Sequence, residues 1–171
     1  MSEKLPAGSD LPEVRLPAVG GGETVLGGKR EGWQAIFVYR GLHCPICKAY
    51  LGKVEAKLAE FAELGAEVVA VSGDPKEKAE AFAKEVGLTM PVGYDLSVAQ
   101  MRELGLYISS PRSDAETDRP FPEPALFVTT PEGKLQIVEI ANAPFVRPEL
   151  DWVVRGLKLG KDGYPIRGTM E

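Results

Sequence analysis

The stretch Trp33-Gln34-Ala35-Ile36-Phe37-Val38-Tyr39-Arg40-Gly41-Leu42-His43-Cys44-Pro45-Ile46-Cys47-Lys48 decides how this chain is read. Its first seven residues are an apolar run of β-branched and aromatic side chains, the pattern of a buried central strand. Its end opens a helix. Proline has no amide hydrogen and a helical φ, so Pro45 suits the first helical position. Cys44 is then the N-cap and Cys47 lies one turn in. A sulfur at the cap faces unpaired backbone amides and the positive end of the helix dipole, and both favour thiolate over thiol. The Cys44 pKa is therefore expected below the ordinary value of about 8.5. Arg40, His43 and Lys48, close in sequence, add positive charge.

Working outward, the spacing of Cys47, Tyr50, Leu51, Val54, Leu58 and Phe61 predicts a helix over 45–64. Glu67–Ser72, Ala125–Thr130 and Leu135–Ile140 read as further strands, the last two joined as a hairpin through Pro131-Glu132-Gly133. Helical patterns recur over 75–86, 97–104 and 148–159. Each of the four helices is followed by a glycine (Gly65, Gly87, Gly105, Gly160) that accepts a left-handed C-cap. Residues 1–31, rich in glycine and proline, suit turns around one or two short strands. The strand–helix–strand order implies parallel pairing and the hairpin adds antiparallel strands. The expected fold is α/β, a mixed central β-sheet flanked by helices on both faces, in a single domain spanning 1–171. Residues 109–124, dense in proline and charge, are expected to form a surface loop rather than an element. The tail 161–171 is expected to pack peripherally; covering the surface of a homodimer is its alternative reading.

Composition bounds the rest. The chain has 171 residues, 44% hydrophobic and 26% charged, as in an ordinary globular protein. Two cysteines exclude a secreted disulfide scaffold. The net charge of −5 argues against a general nucleic-acid partner. The polar Met1–Asp10 segment and the lack of a long apolar run give a cytoplasmic expectation with no membrane partner. In a reducing compartment, Cys-x-x-Cys is more often redox-active or metal-binding than structural.

A three-residue offset at a helix start brings two sulfurs within bonding reach. Cys44, on exposure, is the expected nucleophile on a peroxide or disulfide. Cys47, on the apolar stripe, is the expected resolving thiol. Half of a zinc site is the competing reading; four ligands are wanted and only His43 stands nearby, so no metal or cofactor is expected. Haem attachment needs histidine after the second cysteine, where Lys48 stands. His43, the chain's one histidine, is read as structural.

The strand Ile36-Phe37-Val38-Tyr39, the Arg40-Gly41 turn and the Cys44-Pro45-Ile46-Cys47 motif are carriers of a wider similarity. So are Val68–Ser72 with Asp74-Pro75, and Pro124-Ala125-Leu126-Phe127-Val128. Through these the chain resembles the thioredoxin-fold superfamily over about residues 11–160, and within it peroxiredoxin-like proteins of the alkyl hydroperoxide reductase/thiol-specific antioxidant family. The resemblance implies a thioredoxin-like fold, with Pro124 as a cis-proline facing the cysteines and Arg40, His43 and Pro45 in support. The family's Pro-x-x-x-Thr-x-x-Cys does not appear: set on Cys47 the matching positions are Arg40 and Cys44, set on Cys44 they are Phe37 and Gly41. The peroxidatic slot thus falls on Cys47 and the thioredoxin nucleophile on Cys44. Pro124 stands near the place of the family's later arginine, for which Arg112 and Arg119 are the candidate substitutes.

The function so implied is a thiol-dependent antioxidant oxidoreductase that reduces hydroperoxides through Cys44 and Cys47. A cellular dithiol such as a thioredoxin or glutathione system would recycle it. The alternatives are a thiol–disulfide oxidoreductase acting on protein or small disulfides, and a redox-sensing or binding module without turnover.

Overall fold

The computed structural model describes residues 3–170. A hairpin of β1 (Val14–Pro17) and β2 (Glu23–Leu26) leads into the central strand β3 (Trp33–Val38). There follow α1 (Pro45–Ala56), α2 (Leu58–Glu63), β4 (Ala66–Val71), α3 (Lys76–Val86), β5 (Val92–Gly93) and α4 (Val98–Glu103). The remaining elements are β6 (Ile108–Ser109), β7 (Phe121–Pro122), β8 (Ala125–Thr129), β9 (Leu135–Ile140) and α5 (Leu150–Lys161). Five strands form the main sheet in the order β5-β4-β3-β8-β9. β3 pairs parallel with β4, Val38 facing Val71, and antiparallel with β8, Val38 facing Ala125. This is the mixed sheet the sequence leads one to expect.

Period two along β3 sorts its side chains between two apolar layers. Ala35, Phe37 and Tyr39 join Cys47, Leu51 and Val54 of α1 and Leu150, Val153 and Leu157 of α5 in one cluster. Ile36 and Val38 join Leu16, Leu26, Met101 and Leu104 in the other. Both faces are therefore covered, which is why β3 reads as a continuous apolar run instead of an alternation. Tyr39 stacks on Phe82 of α3 at 4.3 Å between ring centres, fixing the strand end from which the site departs.

Four expectations are corrected. The helix over 45–64 is two helices: Lys57, at φ −100° and ψ −1°, turns its amide to Val54 O at 2.9 Å, a tightened i→i−3 closure that ends α1. Gly160 lies inside α5 and caps nothing. A Cβ there would come 3.2 Å from Trp33, so the glycine permits close approach of helix to sheet. Gly65, Gly87 and Gly105 do have positive φ. The 109–124 loop is tied at its ends, Ile108–Ser109 pairing antiparallel with Phe121–Pro122, and it buries Thr117 and Glu123. Pro124 is not preceded by a cis bond; no peptide bond among the described residues is cis. Glu123 N donates to Tyr107 O at 2.8 Å and Ala141 N to Pro124 O at 2.9 Å. The chain therefore runs straight on from β7 into β8, without the tight turn in which a cis proline usually sits.

The tail is extended and mostly exposed, touching the body where Gln136 Nε2 donates to Tyr164 O at 3.3 Å. No helix among the described residues is long and apolar enough to cross a membrane.

Candidate active site

β3 ends at Val38, and beyond Tyr39 and Arg40 a tight turn carries the chain to α1. Gly41, at φ +142°, supplies a backbone conformation that other residues rarely adopt. Its carbonyl accepts the Cys44 amide at 3.1 Å. The buried carboxylate of Asp74, just beyond β4, accepts the Leu42 amide at 2.8 Å and pins the turn from the neighbouring strand. Burial raises the Asp74 pKa, opposed chiefly by that amide.

The helix start is as the sequence predicts. Cys44 is the N-cap in extended geometry (φ −112°, ψ 97°) and Pro45 stands in the first turn. The Cys47 amide donates to Cys44 Sγ at 3.2 Å, and the two sulfurs lie 2.6 Å apart as free cysteines. Exposure does not separate them, contrary to expectation: Cys44 is 1% exposed and Cys47 0%. The physical reason is the cover from two loops. Arg112 and Glu116 on one side and residues 143–145 on the other wall a pocket of about 300 Å³, and Cys44 lines it while Cys47 does not.

Electrostatics separates them instead. With Cys44 ionised, the Cys47 thiol donates to it. That hydrogen bond is the main cause that holds the Cys44 pKa down to about 6, aided by the Cys47 amide and by Arg40 against the cost of burial. The same bond, with burial and the Cys44 charge, pushes Cys47 well above the ordinary thiol range. Of the pair's two protons, the one on Cys44 is lost first, and the other stays on Cys47, shared with the Cys44 thiolate.

Arg40 faces this sulfur from the strand end. Its guanidinium lies 4.8 Å over the Phe121 ring, and Nε is 3.0 Å from Glu123 Oε2, an ion contact out of line for a hydrogen bond. Glu116 stands 4.0 Å from Arg40 and also takes Arg112 at 3.1 Å. His43 sets its ring edge-on to Phe121 at 4.5 Å, and burial and then Arg40 lower its pKa. Lys48 turns away to Glu85 at 3.0 Å. Of the two loop arginines, Arg112 lines the pocket, whereas Arg119 pairs with Asp118 and Asp95. Pro124 sits behind, in a small cavity with Phe37, Tyr50 and Arg147.

Arg147 is the residue the sequence does not disclose. Its Nη1 is a donor to Cys47 Sγ at 3.8 Å, and its guanidinium lies 4.5 Å over the Tyr50 ring. The Tyr50 hydroxyl donates to Pro148 O at 2.7 Å, holding the loop that carries the arginine. Nothing around residue 147 marks it, since its partner is 100 positions away. Among the described residues no group of three His, Cys, Asp or Glu side chains is placed to hold a metal ion.

The depressed pKa has a direct test. Alkylation of the reduced protein by iodoacetamide should rise with pH about a midpoint near 6. Below it the thiolate is protonated and reactivity falls. Because the folded pKa lies under the unfolded one, the associated stabilisation is complete above the unfolded thiol pKa and is lost as pH falls through about 6. Cys47→Ala removes the main cause and should move the midpoint up, toward the ordinary thiol value; an unmoved midpoint would contradict this account.

The AhpC/TSA family profile matches residues 7–138, most of the chain. A curated relative from Syntrichia ruralis, described as a probable 1-Cys peroxiredoxin, is 24% identical over 135 residues. The match takes in 76% of this chain and 62% of the relative, so the chain spans under two thirds of that protein's length. Among solved structures, the peroxiredoxin-like protein from Aquifex aeolicus superposes with a TM-score of 0.74 at 22% identity, over 92% of this chain and 88% of that one. Enterococcus faecalis AhpC gives 0.74 at 22% identity, covering 94% of each chain. The peroxidoxin BcpB from Mycobacterium tuberculosis gives 0.71 at 20%, over 91% and 97%. At these identities the likeness establishes the shared thioredoxin-like fold.

Proposed function

The chain belongs to the AhpC/TSA family, and from that premise we propose that it is a thiol-dependent peroxidase working through Cys44 and Cys47. The observation that carries this reading is the asymmetric sulfur pair: a low-pKa Cys44 on a small pocket and a protonated Cys47 2.6 Å behind it. The Cys44 thiolate attacks the distal peroxide oxygen. An S–O bond forms and the O–O bond breaks, and the departing alkoxide or hydroxide takes a proton from solvent. Cys47 then loses its proton, attacks the Cys44 sulfenic acid, and the hydroxyl leaves as water. The product is an intramolecular disulfide. Arg147 supports this second step, because a guanidinium beside Cys47 favours its thiolate. An external dithiol, of thioredoxin or glutathione type, returns the pair to its reduced form.

Disulfide exchange on proteins is the second reading and uses the same two sulfurs. The 1% exposure of Cys44 at the base of a walled pocket favours a small oxidant over a protein disulfide. Stopped-flow oxidation of the reduced protein by hydrogen peroxide and by tert-butyl hydroperoxide distinguishes them. The expected rate exceeds that of free cysteine at equal thiolate fraction by a factor of ~10² or more. A rate equal to that of free cysteine, together with ready reduction of insulin, would favour the second reading.

Arg147→Met should leave the first oxidation phase nearly intact and slow disulfide formation about three- to tenfold. Rapid quench with thiol trapping reads that step alone. Equal rates in variant and wild type would remove Arg147 from the mechanism.

A further inference from the structure

The two ends of the 109–124 loop meet in a short ribbon beside the sulfur pocket. Ser109 of β6 stands opposite Phe121 of β7, and Glu123 follows β7. Glu123 is buried at 3% exposure and lines the pocket together with Arg40 and Cys44. One carboxylate oxygen, Oε1, accepts the Ser109 hydroxyl at 2.6 Å. The other, Oε2, has no hydrogen bond among the described residues and meets Arg40 Nε at 3.0 Å. A carboxylate buried with so few partners is a poor source of stability, because one ion contact barely offsets its lost hydration. What it does is hold an arginine. The long Arg40 side chain has many rotamers to lose. With Nε on Glu123 and the guanidinium over Phe121 at 4.8 Å, the group that reaches the Cys44 sulfur is kept in one plane from the ribbon. Glu116 is the weaker tether, standing 4.0 Å from Arg40 and shared with the exposed Arg112.

We propose that Glu123 is a positioning residue: through Ser109, Glu123 and Arg40, the β6–β7 ribbon sets the guanidinium against the Cys44 sulfur. This deepens the peroxidase reading above and rests on it. The charge order is the reverse of the one the family resemblance implies. A carboxylate stands beside Pro124, near the place of the expected arginine, and the arginine comes instead from the end of β3. The 109–124 segment is thus part of the site and not a solvated insertion. The charged and titratable groups that face Cys44 are Arg40 beyond β3, Cys47 on α1, Arg112 and Glu116 on the loop, and Glu123 after β7. His43 lies against Phe121 on the same side. Glu123→Gln would alter charge and geometry together, so a decisive substitution keeps the charge and shortens the reach.

Glu123→Asp should lower kcat/KM for hydrogen peroxide about five- to tenfold. It should also raise the midpoint of Cys44 alkylation by iodoacetamide above its value of about 6. In an Arg40→Met background the same substitution should change the rate by less than about twofold, because its path runs through the guanidinium. The alkylation midpoint should then stay where Arg40→Met alone puts it. Equal factors in the two backgrounds, or no effect in the wild type, overturn the proposal; a purely structural role gives the equal factors. If urea unfolding shows that Glu123→Asp does not fold, Ser109→Ala carries the test. It keeps the Glu123 charge and frees Oε1, with a loss of about two- to threefold expected in the wild type and none in Arg40→Met. No loss in the wild type refutes the proposal. Alkylation needs no peroxide. If no hydroperoxide is consumed, the peroxidase reading fails, while the alkylation midpoints of the four proteins still decide whether Glu123 positions Arg40.

Discussion

Replacing Cys44 with serine is expected to abolish hydroperoxide consumption, lowering kcat/KM by ~10³-fold or more. The serine hydroxyl keeps the cap geometry but is not ionised near neutral pH, so the nucleophile is lost while the helix start survives. Cys47→Ser should behave differently. It retains the nucleophile, so one equivalent of peroxide per chain is consumed and Cys44 stops at sulfenic acid, with no intramolecular disulfide and no sustained turnover. The first phase should also slow, because the thiol that holds Cys44 near a pKa of about 6 is gone. Stopped flow with mass spectrometry of trapped adducts separates these outcomes. If Cys44→Ser instead gives the single burst and Cys47→Ser is inert, the two roles exchange, as the position of Cys47 in the family's peroxidatic slot would have it.

Gly41→Ala should cost about 2–4 kcal/mol of stability and disturb the site at the same time. Gly41 has φ +142°, and a Cβ there would stand 2.8 and 3.0 Å from the two carboxylate oxygens of Asp74. That carboxylate is 3% exposed and pins the Leu42 amide, so it cannot withdraw without leaving a buried donor unpaired. The strain therefore falls on the turn that sets Cys44. Urea unfolding should show a lower midpoint at unchanged slope, and the Cys44 alkylation midpoint should rise. A variant within about 0.5 kcal/mol of wild type would show that the turn relaxes freely.

The two chemical groups and their helical setting are legible in the sequence because they are local. Pro45 between Cys44 and Cys47, after an apolar strand, carries its own geometry. The sheet is legible too, since β3, β4 and β8 are long enough for composition to register. Val92–Gly93 is too short for any period, and it pairs only because β4 presents an edge. The charges around the sulfurs are legible only in part. Arg40 is adjacent in the chain and so can be read directly. Arg147, Glu116 and Glu123 reach the site from loops whose placement depends on tertiary packing. Lys48 shows the converse: near in sequence, it is drawn off to Glu85. The exposure expected of Cys44 is not met for the same reason, since its cover comes from Arg112, Glu116 and residues 143–145.

The closeness of Cys44 and Cys47 along the chain also bears on the unfolded state. A covalent bridge constrains a denatured chain according to the length of loop it closes. One spanning only Cys44 to Cys47 would be worth ~2 kcal/mol in that entropy, against ~5 for a loop of a hundred residues. Oxidation through this pair thus shifts folding stability by the ~2 kcal/mol of a minimal loop, under half of what a long-range bridge would add, so the two redox forms stay closer in their margin against unfolding than a bridge across the fold would allow.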